Sequence, residues 1–431
     1  MTSLVLSNHM ATVEEALLAA GHPVIVCMTA QHAALRHAAN PRAMAQYQAI
    51  TIGSWDAFDE LAQLAYRLQG TVTRIATRWE GAMIAAGFLR DLLGLPGLSM
   101  SASVGFTDKA IMKQRLHAAG VPVAQHRVVR AVDEIAPAAR ELGGFPVVVK
   151  PRRGFASTNT HVISNTRQLL ELSADGVFDQ PVDASPFYLG DPAFEPLARQ
   201  RAGMLVEQYI DIAAEYHCDG LWIDGQPVYN LPGRYHTPPL KAMGGMLGAV
   251  LLDPDSEEGR RVADLSARAA AALGISDGFT HAEVLRTPEG RWLLGEIAAR
   301  PGGGGIQTAI KHAYGVDVAA VQAALAAGET PKVTLRRTPG YVGWAGPPVP
   351  PGRVVTLASA DQVREHPGAI DATVAAKPGQ SGGRTGSGIW GGLAGLVYLR
   401  GHTPDEVLAM MPSATETFAV QVEQPTAIAG R

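Results

Sequence analysis

Two apolar runs, Thr280-His281-Ala282-Glu283-Val284-Leu285 and Arg291-Trp292-Leu293-Leu294-Gly295-Glu296-Ile297, flank the turn residues Thr287-Pro288-Glu289-Gly290. Apolar runs on either side of turn formers read as a hairpin. Directly opposed residues in such a pair have Cβ atoms about 5 Å apart. This register sets Glu283 near Glu296. Two like charges at that spacing repel unless something positive lies between them. Mg²⁺ takes oxygen ligands, usually one or two carboxylates plus substrate phosphates. Two solvent-facing glutamates are the plain alternative. The residues after the hairpin weigh against it: Ala298-Ala299-Arg300-Pro301, then Gly302, Gly303, Gly304 and Gly305. An arginine beside a metal-binding strand stabilises developing negative charge. The glycines let a substrate approach the backbone closely. His281 lies two residues before Glu283 and so shares its face. Because Mg²⁺ prefers oxygen, a packed structural histidine is the expectation there.

The hairpin sits in a chain of 431 residues, too long for one core, so two to four domains are expected. Strand and helix signals alternate over residues 1–100: strands at 4–6, 23–28 and 72–76, helices at 13–20, 55–68 and 81–93. That alternation predicts a small α/β domain with a parallel sheet. From 101 to 330 the texture changes to runs of strands separated by helices, including a long helix at 257–273, which fits α+β. Residues 331–431 are expected to form a smaller lid or substrate subdomain, with a glycine-rich stretch at 379–395 and a disordered tail of about six residues.

Composition excludes several classes of function. The net charge is −4, from 36 basic and 40 acidic residues, with no basic block. Nucleic acid and membrane surfaces are therefore not expected partners, and small-molecule substrates are. Glu14 and Glu15 interrupt any signal-peptide core, and no long uncharged apolar stretch occurs, so a cytoplasmic location is expected. Cys27 and Cys218 are far apart and read as buried apolar residues.

Two further segments carry charge in suggestive places. The run Phe145-Pro146-Val147-Val148-Val149-Lys150 ends in Pro151-Arg152-Arg153-Gly154-Phe155-Ala156-Ser157-Thr158-Asn159. A buried strand delivers a lysine to a loop whose N–H groups can turn toward phosphate oxygens. A lysine snorkelling before a surface turn would look the same. In Leu205-Val206-Glu207-Gln208-Tyr209-Ile210, an acid on an apolar strand can accept from an adenine amino group, and Glu215 can take ribose hydroxyls. Strand-edge glutamates are common, so this segment alone is weak.

The order of these segments resembles the ATP-grasp superfamily of carboxylate–amine ligases, in particular the amino-acid and dipeptide ligases. The resemblance covers residues 1–330 and includes the Asp108-Lys109 helix with Gly120-Val121-Pro122-Val123. It implies an ATP-grasp fold behind an N-terminal open α/β domain. It also implies ATP and Mg²⁺ as cofactors, with Mn²⁺ able to replace Mg²⁺. Lys109 and Lys150 resemble the phosphate-binding lysines, and Ser157 and Thr158 the mobile loop above them. Glu207, Gln208 and Ile210 are similar to the adenine-reading hinge, and Glu215 to the ribose-binding acid. Glu283 and Glu296 resemble the metal ligands, and Arg300 the arginine that steadies the transferring phosphate. Arg234 and His236, with Lys241, fall where similar ligases hold the acyl substrate, alongside Gly302, Gly303 and Gly304. The implied reaction forms an amide through an acyl phosphate from a carboxylate and an amine, both expected to be amino acids. A homodimer is the family-level expectation.

One position departs from the family pattern. An asparagine usually stands two residues after the second metal glutamate, and here Ala298 does. A thiol acceptor, bicarbonate chemistry or a nucleotide sensor without turnover are the competing readings. Gly386-Ser387-Gly388-Ile389-Trp390-Gly391 spells GxGxxG, but no clean strand precedes it, so it reads as a turn or lid.

Overall fold

The computed structural model describes residues 2–8, 10–182, 191–382 and 392–423. The GxGxxG stretch and the last residues lie outside these ranges.

Strands β1 (Thr2–Leu6), β2 (Val24–Thr29), β3 (Gln48–Ile52) and β4 (Val72–Ala76) form a parallel sheet in the order β3-β2-β1-β4. Every residue of β2 is buried, as a strand covered on both faces requires. One covering helix is Phe58–Leu68, which buries Leu61, Leu64, Ala65 and Leu68 at helical spacing. Another comes from far along the chain. Helix Val318–Ala327 packs Ala326 and Ala327 against Val5, Val13 and Leu17, and Ser3 Oγ donates to Ala326 O at 2.7 Å.

Strands β5 (His126–Val129), β6 (Val147–Pro151), β7 (His161–Ile163) and β8 (Met204–Gln208) make an antiparallel sheet in the order β5-β8-β6-β7. The valines of β6 are β-branched, which suits a pleated strand. Val147 and Val149 point into its core, leaving Val148 and Lys150 on the other face.

An eight-stranded antiparallel sheet dominates the rest. It uses β9 (Ala214–Ile223), β10 (Gln226–Tyr235), β11 (Leu247–Leu251), β12 (Gly278–Arg286), β13 (Trp292–Ala298) and β14 (Tyr341–Gly346). A small separate sheet joins β15 (Gly352–Thr356), β17 (Ser381–Gly382) and β19 (Gln421–Glu423). Strands β16 (Ala369–Val374) and β18 (Gly395–Gly401) complete the large sheet, whose order is β13-β12-β9-β10-β11-β14-β18-β16. Helix Glu257–Ala272 covers one face of it. Ser256 caps that helix by accepting from Gly259 N–H, and Glu257 and Glu258 complement its dipole. Among the described residues no helix is long and apolar enough to cross a membrane. Cys27 and Cys218 are both free and buried, and burial pushes the Cys27 thiol up to about 12.

Candidate functional site: a charged cavity between two sheets

A cavity of about 280 Å³ opens between the β6–β8 sheet and the β12–β13 hairpin. Its floor is the hairpin, where Glu283 and Glu296 are directly opposed, with a bulge just after Glu283. Strand alternation then puts His281, Leu285 and Ala298 on the same wall. On the neighbouring strand β9, Glu215 is opposite Leu285, so it too faces the cavity.

Cations enter from two elements. Asp108 caps helix Lys109–Ala118 by accepting from Ala110 and Ile111 N–H. It also holds Arg152 at 2.6 Å, which seats the loop after β6 on the start of this helix. Lys109 Nζ reaches Glu296 at 2.9 Å and donates to Gly154 O of that loop. Lys150, at the end of β6, reaches Glu207 on β8 at 3.0 Å. Lys113 reaches the other oxygen of Glu207 at 3.2 Å and donates to Gly295 O. Arg300 Nε donates to Glu80 Oε2 at 2.8 Å.

These pairings set the protonation of the carboxyls. Burial alone would raise Glu207, but the Lys113 and Lys150 ammoniums outweigh it and hold the carboxyl down to about 2. Burial would likewise raise Glu296, yet Lys109 and Lys150 hold it below its ordinary value. Glu283 is raised, by burial first and then by the Glu296 charge. Glu215 is raised well above the carboxylate range, by burial and then Glu283. Two buried acids thus face the cavity short of positive charge. The opposed Glu283 and Glu296 carboxylates are hard oxygen donors of the kind Mg²⁺ takes.

The loop above the cavity is unusual in its backbone. Ala156, Ser157 and Asn159 all have positive φ, at 55°, 54° and 57°. Each such non-glycine residue costs about 1–2 kcal/mol. Left-handed residues among ordinary ones turn successive N–H groups to one side, the geometry of an anion-binding nest. Ser157 and Thr158 line the cavity, and Thr158 Oγ1 is buried without a hydrogen-bond partner among the described residues.

The fold gathers some of the candidate residues here and sends others elsewhere. Lys109, Lys150, Ser157, Thr158, Glu207, Gln208, Ile210, Glu215, Glu283, Glu296 and Arg300 all line the cavity. Arg234 does not. Strand β10 continues through Tyr235 and pairs Arg234 with Tyr216, which faces helix Glu257–Ala272. Arg234 accordingly meets Glu258 at 3.8 Å and pairs with Asp405, on the sheet face away from Glu283. His236 is exposed just beyond the strand end and hydrogen-bonds to Thr237. Gly302, Gly303 and Gly304 do not line it either. Gly302 N–H donates to Asp219 Oδ1 at 3.0 Å, and a Cβ on Gly302 would collide with that oxygen. Close packing by itself requires glycine at 302.

Lys113, His217, Asp219 and Glu80 contribute to the site without having been singled out from the sequence. Lys113 comes four residues after Lys109 on one helix, a spacing that shares a face. His217 and Asp219 come after Glu215 at intervals of two, which also shares a face. Asp219 accepts from His217 Nδ1 at 2.6 Å and His281 Nδ1 at 3.0 Å, clamping β9, β12 and Gly302 together. This is the group of His and Asp among the described residues with atoms close enough for a metal, and hydrogen bonds already account for its geometry. Glu80 carries no periodic signal; only the tertiary fold brings it to Arg300.

This arrangement has known relatives. Residues 143–309 match the family model of the ATP-grasp domain, and the chain has the ATP-grasp fold. It is 29% identical over 285 residues to the L-arginine-specific L-amino acid ligase of Bacillus subtilis, a match spanning 66% of this chain and 65% of that one. The chain therefore covers slightly less than two thirds of that relative's length. Among solved structures, the L-amino acid ligase from Bacillus licheniformis superposes with a TM-score of 0.71 at 17% identity, covering 98% of both chains. The biotin carboxylase domain of 2-oxoglutarate carboxylase from Hydrogenobacter thermophilus, solved with MgADP and bicarbonate, gives 0.64 at 18% identity, covering 97% of this chain and 90% of that one.

Proposed function

We propose that the chain is a cytoplasmic, ATP- and Mg²⁺-dependent ligase that joins the carboxylate of one amino acid to the amine of another. One observation carries this reading: Glu283 and Glu296 are opposed on one buried hairpin, with Lys109, Lys150 and Arg300 around the same cavity. The similarity to an L-amino acid ligase supports the substrate class. The chain divides at roughly residues 100 and 330, the last part sharing strands with the large sheet, and it acts as a homodimer.

A free carboxylate acylates poorly because oxide is its leaving group. Phosphorylation by ATP makes an acyl phosphate, and attack by the amine then expels phosphate. Phosphoryl transfer needs positioning and charge neutralisation more than covalent help. Lys109 and Lys150 supply fixed charge for the phosphates, and Ser157 and Thr158 lie on the loop above them. Glu207 keeps the Lys150 ammonium in place, Gln208 and Ile210 border the base, and Glu215 meets the ribose. Mg²⁺ on Glu283 and Glu296 would neutralise phosphate charge during transfer. Arg300 steadies the transferring group and the oxyanion formed when the amine attacks.

The test is phosphate release from ATP with paired L-amino acids. Release that needs two amino acids, yields a dipeptide and disappears in Glu296→Ala with its fold intact supports the proposal. Release with a thiol acceptor alone points to a carboxylate–thiol ligase. ATP binding without release for any acceptor pair, amine or thiol, rejects a ligase altogether.

A further inference from the structure

A second cavity, of about 290 Å³, lies behind the segment that carries Arg300 and shares no lining residue with the first. Strand β4, residues 96–98, the start of β12 and the end of helix Val318–Ala327 enclose it. Its polar side chains are unusual. Arg90 is only 7% exposed, and it donates to Ile75 O through Nε and Nη2, at 3.1 and 2.8 Å, and to Leu98 O through Nη1 at 3.0 Å. Those bonds use three of the five N–H donors of a guanidinium. No carboxylate among the described residues forms an ion pair with Arg90. Among the same residues Arg74 has only the Thr73 carbonyl, at 2.8 Å. Gln322 is 8% exposed, and among the described residues its side chain makes no hydrogen bond.

A buried charge without a counter-charge is costly. Three acids line the same cavity, Asp224, Asp277 and Glu329, and among the described residues none of them pairs with Arg74 or Arg90. Glu329 pairs with His22 at 3.4 Å, and the Asp277 carboxylate accepts from Asp224 N–H at 3.1 Å. The rest of the wall includes Met83, Leu98, Phe279 and Leu325, so the space is half apolar. Two guanidinium forks suit a planar carboxylate, and the apolar wall suits a short carbon chain.

We propose that this cavity is a second ligand site, taking a small carboxylate-bearing molecule of amino-acid size, its carboxylate held by Arg74 and Arg90 and a polar group by Gln322. Such a ligand would bear on the chemistry without touching it. Ala299 and Pro301 line the cavity on either side of Arg300 in sequence, and Thr77 and Met83 line it on either side of Glu80. Occupancy therefore braces both segments of the Arg300–Glu80 pair, and the two cavities become energetically coupled.

The experiment is calorimetric titration of the full chain, loaded with MgADP, using the twenty L-amino acids, succinate and phosphate. It reads binding, so its outcome is independent of whether the chain turns over as a ligase. At least one carboxylate is expected to bind, with a Kd that rises about tenfold or more in both Arg74→Met and Gln322→Met while MgADP affinity stays within about twofold. Melting curves establish that both variants are folded, and if Arg74→Met is not, Arg74→Gln takes its place. The proposal is overturned if no panel member binds, if every binder is indifferent to both substitutions, or if phosphate binds and no carboxylate does.

Discussion

Arg300 and Glu80 stand 220 residues apart in sequence and are joined by a hydrogen bond of 2.8 Å. The bond ties the end of β13 to the segment just after β4. Burial would lower the Arg300 guanidinium, but Glu80, with Glu296 and Glu283, outweighs it and keeps the group more basic than usual. Removing the Glu80 charge leaves the arginine free to leave the cavity. Glu80→Gln is predicted to lower kcat about 10²-fold, the scale of losing one preorganised stabilising contact. The KM for ATP should stay within about threefold, because Glu80 does not line the cavity that holds Lys109 and Lys150. A fall in ATP affinity of the same size as the fall in kcat would contradict this.

Glu207 is the counter-charge shared by two buried ammoniums, Lys113 and Lys150. Glu207→Gln leaves both without their shared counter-charge, and breaking such a buried pair costs about 3–5 kcal/mol. Urea unfolding without nucleotide is the measurement. The sign with pH comes from the folded value of about 2 against an ordinary 4.5. The Glu207 contribution is full above about pH 5 and is lost as pH falls through the folded value. The variant should therefore show a shallower loss of stability on acidification than the parent chain. Equal slopes would count against the Glu207 pairing.

Ala298 lies on the cavity wall, paired in register with His281. Ala298→Asn places an amide oxygen on the same face as Glu283 and Glu296. An added charge-assisted contact worth about 1–2 kcal/mol should lower the Mg²⁺ concentration for half-maximal phosphate release about tenfold. An unchanged midpoint would mean that the side chain does not reach the metal.

Arg234→Ala should leave turnover within about twofold and stability within about 1 kcal/mol, since among the described residues its two ion pairs, with Glu258 and Asp405, lie on the far sheet face. A large loss of activity would return Arg234 to the site.

Sequence makes the local features of this fold legible. The hairpin comes from turn residues and alternation. Strand β4 and the start of helix Lys109–Ala118 fall at the expected residues for the same reason. Glu283 meets Glu296, however, only because a bulge after Glu283 shifts the register by one residue; a regular ladder would oppose Glu283 to Gly295. Arg234 departs from expectation because Pro232 and Gly233 look like a loop, whereas β10 runs on through them to Tyr235. Residues 341–401 give no periodic signal of their sheet. Their strands are short, and glycine-containing β14 and β18 are pinned by neighbours distant in sequence. Glu80 and Gly302 owe their roles to contacts across the fold, which no local pattern encodes.

The helix that covers β1 also sets a schedule for the nascent chain. Val5, Val13 and Leu17 leave the ribosome long before Ala326 and Ala327, which pack on them and are made more than 300 residues later. At about 5–20 residues per second, that interval is roughly 15–60 s. During synthesis the part of this apolar cluster that Ala326 and Ala327 cover must wait exposed. A chaperone that shields such surfaces has its longest opportunity there, and a slow-translating stretch before residue 318 would lengthen it.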